Sequence, residues 1–260
     1  MQVIDCFLFF NELDVLKVRL NYLKNYVDSF VLVESPVTFS GKPKSLVFND
    51  NKEQFSDFNI THIIADPFIG NTPWDTEEFQ RNQLMRGLDE VGEDEVVLIS
   101  DCDEIPNMKN YPGEECVFCH DSYFYYFNHR LLDIRNKKWL GTIAMFKKNL
   151  RTIHESRERR KKKRLRTYVD GSWHFSSIGS LEQIMSKFDA SSHREIENEA
   201  VRNQIISNIQ NLCDPWYRVW GTHARLRSTR IEIPSGPDWL LENKETFSHL
   251  FYNGGKDSDL

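Results

Sequence analysis

Apolar and polar residues fall in alternating blocks along the first hundred positions. Val3 to Phe10 is a short apolar run and reads as a buried strand. From Glu12 to Val27, the residues Leu13, Leu16, Leu20 and Leu23 recur at helical spacing until Asp28 ends the pattern. Ser29 to Glu34 predicts a second strand and Ile60 to Ala65 a third. Between them, Ser35 to Lys44 holds Pro36, Gly41 and Pro43 and reads as a loop. Trp74 to Val91 predicts a long helix with Thr76 as its cap and Gly92 as its stop. Glu95 to Ser100 is a fourth strand, nearly continuous in apolar content as central parallel strands are. Strands alternating with helices predict an α/β fold with right-handed crossovers. Such sheets bind ligands beyond the carboxyl ends of their strands. Asn11, Glu12, Glu34, Asp66 and above all Asp101 to Glu104 occupy those positions.

The second half is less regular. Cys116 to His129 and Thr142 to Lys147 read as longer strands, and Ser172 to Ser176 follows a basic segment. Helices are expected over Leu181 to Phe188 and Glu195 to Leu212, and the tail from Pro234 onward carries Pro, Gly and a terminal NGGKDSD stretch that is expected to fray. No repeat, low-complexity stretch or linker interrupts the 260 residues, so one domain is expected over 1–260.

Charge changes the picture in one place. The net charge is −6, but residues 157–166 carry eight bases and one acid, which is +7 and leaves −13 for the rest. An acidic body with one basic segment is not a general nucleic-acid binder, and no nucleic-acid partner is expected. The basic run is read as a mobile loop beside the site, folding over phosphate or steering an anionic acceptor. Five cysteines, an odd and sparse set, argue against a disulfide scaffold. Cys116-Val-Phe-Cys119-His120 matches a haem-attachment pattern but sits in a strand-like run, where buried thiols are the simpler reading. No stretch approaches the roughly 18 apolar residues of a membrane span, and no basic residue precedes the first apolar run as in a secretory signal. The expected location is cytoplasmic.

The candidate chemistry concentrates in Ser100-Asp101-Cys102-Asp103-Glu104-Ile105-Pro106. A buried strand delivers three carboxylates within four residues, and something must offset their repulsion. Mg2+ or Mn2+ is the natural partner, since each takes carboxylate oxygens together with substrate phosphates and water. Two D-x-D chemistries compete. Phosphatases with an aspartyl nucleophile place D-x-D-x-[TV] after the first strand, whereas this motif follows the fourth and has Ile105 at the Thr/Val place. Glycosyltransferases of the GT-A fold carry D-x-D late in the nucleotide-binding half, which matches the placement here.

Several segments in order resemble glycosyltransferase family 17. They are Asn11 to Asp14 with Arg19-Leu20, Val27 to Ser35, Thr38 to Lys44, Gln80 to Leu88 and the acidic motif. Gly171 to Ser176, Ser192 to Glu195, Ile233-Pro234 and Leu240 to Leu250 continue the series. Ser172 is inserted between Gly171 and Trp173, and Ser177 replaces an aromatic. The resemblance implies a GT-A-like, Rossmann-like nucleotide-binding fold with a mainly parallel central sheet flanked by helices. Residues 1–106 would form the nucleotide-sugar half and 107–260 the acceptor side. The implied activity is inverting, metal-dependent transfer of a sugar, N-acetylglucosamine from UDP-GlcNAc, onto a glycan acceptor. With no anchor or stem ahead of the domain, a bacterial or viral type of relative is expected.

On that resemblance Asp103 is the direct metal ligand, with Mn2+ favoured over Mg2+. Asp101 binds the metal or the donor ribose, and Glu104 orients the site or faces the acceptor. Asn11, Glu12 and Glu34 are candidates for holding the nucleoside, and Lys42 and Lys44 for holding phosphate. Arg81 and Arg86 are five residues apart on the predicted helix, about 140° around it, so one of them faces the site, and Arg81 is preferred. His174 is a further metal candidate and His223 a weaker one. Glu195 is the candidate general base, with Asp189 and Glu104 as alternatives. Trp139, Trp216 and Trp239 are read as core aromatics ahead of sugar platforms. A metal-dependent phosphohydrolase, or a non-catalytic carbohydrate or nucleic-acid binding protein, remains open on the residues alone.

Overall fold

The computed structural model describes residues 1–131, 138–161, 165, 167–216, 228–230 and 236–253. The first hundred residues form β1 (Val3–Phe9), α1 (Leu13–Leu23), β2 (Ser29–Glu34), α2 (Val47–Asn51), β3 (Ile60–Ile64), α3 (Pro73–Asn82) and β4 (Val96–Asp101). The four strands pair in parallel in the order β4-β1-β2-β3. All seven residues of β1 are buried, because helices cover both faces of the sheet. Phe7, Leu32 and Leu98 pack on one face with Leu16 and Leu20 of α1. Cys6, Val31, Val33 and Ile99 pack on the other with Leu84 and Leu88.

The remainder is β5 (Glu104–Ile105), β6 (Cys116–Tyr125), β7 (His129–Leu131), β8 (Trp139–Phe146), α4 (Ile153–Glu158), β9 (Tyr168–Ile178), α5 (Leu181–Ala190), α6 (Glu199–Gln210), β10 (Ser228–Arg230) and α7 (Asp238–Glu242). β8 runs antiparallel to β4, and β6 antiparallel to β8 and parallel to β9. β5 pairs antiparallel with β9, which sets Glu104 opposite His174. The result is a mixed α/β fold, with a large central sheet flanked by helices, parallel in its first half and extended mostly by antiparallel strands. Among the described residues no helix is long and apolar enough to cross a membrane.

Several boundaries differ from expectation. The helix predicted to be capped by Thr76 starts at Pro73 instead, after a capping box in which Thr72 and Asp75 satisfy each other's backbone N–H groups. It ends at Asn82 and tightens into a 3-10 turn over Gln83–Gly87 instead of running to Val91. The helix expected from Glu195 begins at Glu199, where the Asn198 side chain accepts from Ala200 and Val201. α1 stops at Leu23, and α2, β5, β7 and α4 are additions. Cys116 and Cys119 lie on β6 as free thiols, and burial pushes them up to about 12 and about 11. His223, Ile233-Pro234, residues 162–164 and 166 of the basic run, and the tail from 254 lie outside the described residues.

Candidate active site

A cavity of about 700 Å³ opens at the carboxyl ends of β1, β2 and β4, where the sheet geometry predicts a ligand. Asp101, Cys102 and Asp103 of the acidic loop 101–104 line its floor, and the fold pins that loop from beneath. Arg19 of α1 is fully buried and pairs with Asp5 of β1 through Nη2 to Oδ1 at 2.6 Å and Nε to Oδ2 at 2.8 Å. Its Nη1 donates toward the backbone carbonyls of Asp101, Cys102 and Glu104 at 3.0, 3.1 and 2.8 Å. From above, the N–H of Phe175 in β9 donates to the Asp103 carbonyl at 2.8 Å. The loop is therefore held largely through its backbone, and Glu104 Oε2 adds to this by accepting the Asp101 N–H at 3.1 Å.

Each carboxylate finds cations. Asp101 accepts Arg81 Nη1 at 2.7 Å on one oxygen and Arg157 Nη2 at 2.6 Å on the other. Burial opposes its charge, but Arg157 and Arg81 outweigh it and hold the carboxyl below the usual range. Glu104 is fully buried and accepts Arg157 twice, at 2.7 and 2.8 Å, and the Trp139 indole N–H at 2.7 Å. Desolvation would raise its pKa, yet Arg157 keeps it well below the ordinary value. Asp103 accepts Lys187 Nζ of α5 at 2.7 Å on Oδ2, and Lys187 also reaches Glu12 Oε1 at 3.3 Å. Asp103 and Glu12 outweigh the burial of that ammonium and raise its pKa.

Asp103 Oδ1 lies 3.7 Å from His174 Nε2, and among the described residues neither atom has a hydrogen-bond partner. The His174 ring stacks on Trp139 at 5.0 Å and 22°. No group of three His, Cys, Asp or Glu side chains able to hold a metal occurs among the described residues. Asp103 and His174 offer two donors side by side, which fits a divalent ion that completes its shell with substrate phosphates and water. Asp101, expected as a second metal ligand, has both oxygens engaged by arginines.

The remaining expected residues divide. Glu12, Lys44, Arg81 and His174 line the cavity with Asp101 and Asp103. Arg86 lies elsewhere on its turn, near the Ile64 carbonyl and Gln83. Glu34 does not face the cavity: both its oxygens accept N–H groups, from Phe48 and Asn49 at the start of α2. Asn11 donates its N–H to Glu12, and Lys42 is exposed; neither lines the cavity. The three candidate bases are also displaced. Glu195 is exposed on a 3-10 turn, Asp189 is paired to Arg202, and Glu104 is sealed under Arg157. Trp139, read as core, is 42% exposed at the cavity wall. The basic run begins inside α4, where Arg157 is 2% exposed, so its first residues are built into the site instead of forming a mobile loop. Sequence reasoning placed the basic run beside the site without singling out Arg157, and gave Arg19 and Lys187 no role there because a lone cation carries no local pattern.

The site is thus a cation-ringed acidic loop that follows a central strand of an α/β sheet, at the strand ends where such sheets bind ligands. The model of glycosyltransferase family 17 matches residues 1–215, and the chain belongs to that family. Membership of that family weighs against the phosphohydrolase and the non-catalytic alternatives. The human and rat beta-1,4-mannosyl-glycoprotein 4-beta-N-acetylglucosaminyltransferases are each 31% identical to it over 107 residues, and the mouse enzyme 30%. Those matches take in 37% of this chain and 20% of each relative, so the chain spans about a fifth of their length. Among solved structures, the Francisella tularensis 2-C-methyl-D-erythritol 4-phosphate cytidylyltransferase aligns with a TM-score of 0.37 and 9% identity, over 73% of this chain and 100% of that one.

Proposed function

We propose that the protein transfers N-acetylglucosamine from UDP-GlcNAc to a hydroxyl of a glycan acceptor, with inversion at the anomeric carbon. The observation that supports this most is the placement of Asp101 and Asp103 at the end of β4, facing a cavity ringed by cations from both halves of the chain. Residues 1–106 supply the floor of the donor site, and 107–260 supply Trp139, Arg157, His174 and Lys187 on the other wall. The names of the similar mammalian enzymes support the choice of sugar.

Asp101, fixed between two arginines, is suited to accept hydrogen bonds from the donor ribose. Asp103 and His174 are the pair that would hold Mn2+ or Mg2+, which when bound neutralises the diphosphate of the donor. The base that takes the acceptor proton belongs to the remaining cavity carboxylates, Glu12, Asp75, Glu77, Glu78 or Glu158, since Glu195, Asp189 and Glu104 do not line it.

The test is calorimetric titration of UDP and UDP-GlcNAc, with and without Mn2+, into the wild type and Asp103→Ala. The expected result is binding that needs the ion and vanishes in the variant. Absence of binding by either nucleotide under every metal condition would overturn the proposal.

A further inference from the structure

Among the described residues that line the cavity, Lys44 lies 3.6 Å from Glu34 and donates to the Ser35 and Ser45 carbonyls, and every other lysine and arginine except Arg160 is hydrogen-bonded to a carboxylate. Arg81 is spent on Asp101 and Glu77, Arg157 on Asp101 and Glu104, and Lys187 on Asp103 and Glu12. Lys161 pairs with Glu158 at 3.0 Å. Arg160 is 6% exposed, lines the same cavity and, among the described residues, donates a single long hydrogen bond, Nη1 to the Arg157 carbonyl at 3.4 Å. Its nearest carboxylate oxygen, on Glu158, is 3.6 Å away and already serves Lys161. A guanidinium presents five N–H donors, so most of the capacity of Arg160 is unspent.

This arrangement costs free energy as it stands. A buried cation without a hydrogen-bonded counterion is expensive, and Arg160 has a second guanidinium, Arg157, beside it. Burial first and Arg157 second push Arg160 down to about 10. Sites that keep such a cost are sites where a ligand removes it. The ligand must be anionic, must offer several oxygens to a planar fork, and must fit beside Asp101, a carboxylate already neutralised on both sides. A diphosphate meets each condition.

We infer that Arg160 is the residue that grips the diphosphate of the donor and stabilises it as the leaving group. The inference rests on the sugar-nucleotide reading above and adds a residue to it. During transfer the bond from the anomeric carbon to the diphosphate oxygen breaks, and its electron pair stays on the diphosphate. The acceptor oxygen forms the new bond on the opposite face, and its proton passes to a cavity carboxylate. The negative charge that appears on the leaving oxygen lies against the Arg160 fork, in a buried setting where such stabilisation is strongest. Arg157 does not take this role, because both arms of its fork are held by Asp101 and Glu104.

The experiment is calorimetric titration of inorganic pyrophosphate and of UDP into the wild type, Arg160→Gln and Arg160→Lys, with thermal melts to check folding. Arg160→Gln is expected to weaken both ligands by about 10- to 100-fold, and Arg160→Lys to recover part of the loss. In turnover the Gln variant loses kcat as well as affinity, because the contact strengthens as charge develops. Affinities within about twofold of wild type in Arg160→Gln would overturn the inference. Should that variant fail to fold, Arg160→Lys decides, since it keeps the charge and lacks the fork: weakened UDP binding supports the inference and unchanged binding overturns it. Arg160-dependent pyrophosphate binding without binding of any UDP compound keeps the anion site and removes the sugar-nucleotide reading. UDP binding indifferent to Arg160 does the reverse. A wild type that binds neither ligand overturns both.

Discussion

Arg157 holds Glu104 with both arms of its guanidinium, Nη1 to Oε2 at 2.7 Å and Nη2 to Oε1 at 2.8 Å. Both side chains are almost wholly out of water, so the pair has no solvent to fall back on if one partner is lost. Arg157→Met is expected to destabilise the fold by about 3–5 kcal/mol, read as a lower urea midpoint at neutral pH. The folded pKa of Glu104 is depressed, so its contribution is present above the unfolded carboxylate value of about 4.3 and is lost as pH falls through the folded value. Glu104→Gln should therefore flatten the acid limb of the stability curve. An unchanged acid limb would show that the pair carries no net stability.

Arg19 makes the corresponding bond on the underside of the loop, where it joins Asp5 to three loop carbonyls. Lysine keeps the charge but has neither the fork nor the reach of five donors. Arg19→Lys is expected to cost about 2–4 kcal/mol and to weaken donor binding as the loop loses its template. Chemical denaturation and UDP titration on one sample measure both. A stable variant with wild-type donor affinity would remove Arg19 from the site's support.

Gly141 in β8 has no room for a side chain. A Cβ there would come within 2.7 Å of the His120 ring and 3.1 Å of the Glu104 carboxyl carbon. Gly141→Ala is expected to cost about 1–3 kcal/mol by overpacking and to lower activity by displacing Glu104 toward the cavity. Thermal melts and initial rates would register the two effects, and a variant indistinguishable from wild type in both would refute the tight fit.

Lys187 occupies one oxygen of Asp103 while the other faces His174. Replacing it by methionine leaves Asp103 and Glu12 without their shared cation, so a divalent ion should be drawn there more strongly. In nucleotide-free Lys187→Met, Mn2+ affinity is expected to rise by about tenfold, measured by electron paramagnetic resonance of free Mn2+. Unchanged or weaker binding would show that the lysine and the ion do not compete.

The central strands were legible because helices cover both faces, which leaves β1, β2 and β4 as apolar runs with little choice of structure. The acidic motif was legible because it directly follows one of them. The start of α3 was also written in the sequence: Thr72-Pro73-Trp74-Asp75 is a capping box with proline at the first helical position, and Thr76 drew attention from it. Of the cations that answer the acidic motif, Arg81 was legible from its place on the helix, whereas Arg157 and Lys187 were not. Arg157 sits in a run whose composition suggests a solvated segment, and Lys187 is a single lysine in an amphipathic helix. Arg157 arrives because α4 packs on α3 and β4, and Lys187 because α5 follows β9, which pairs with β5 and β6; these are tertiary events with no local trace. The same holds for Glu195 and Glu34, whose types suit a site but whose surroundings do not.

The distances along the chain between these partners set an order of assembly. Glu104 waits 53 residues for Arg157, and Asp103 waits 84 for Lys187. During synthesis the parallel half emerges first, with its three clustered carboxylates, Arg19 to hold the loop's carbonyls and Arg81 to meet Asp101. Closing those long loops is slow relative to the local contacts of β1, α1 and β2. The nascent protein therefore passes through a stage with a sheet but no working centre, and chains halted before residue 187 stay there.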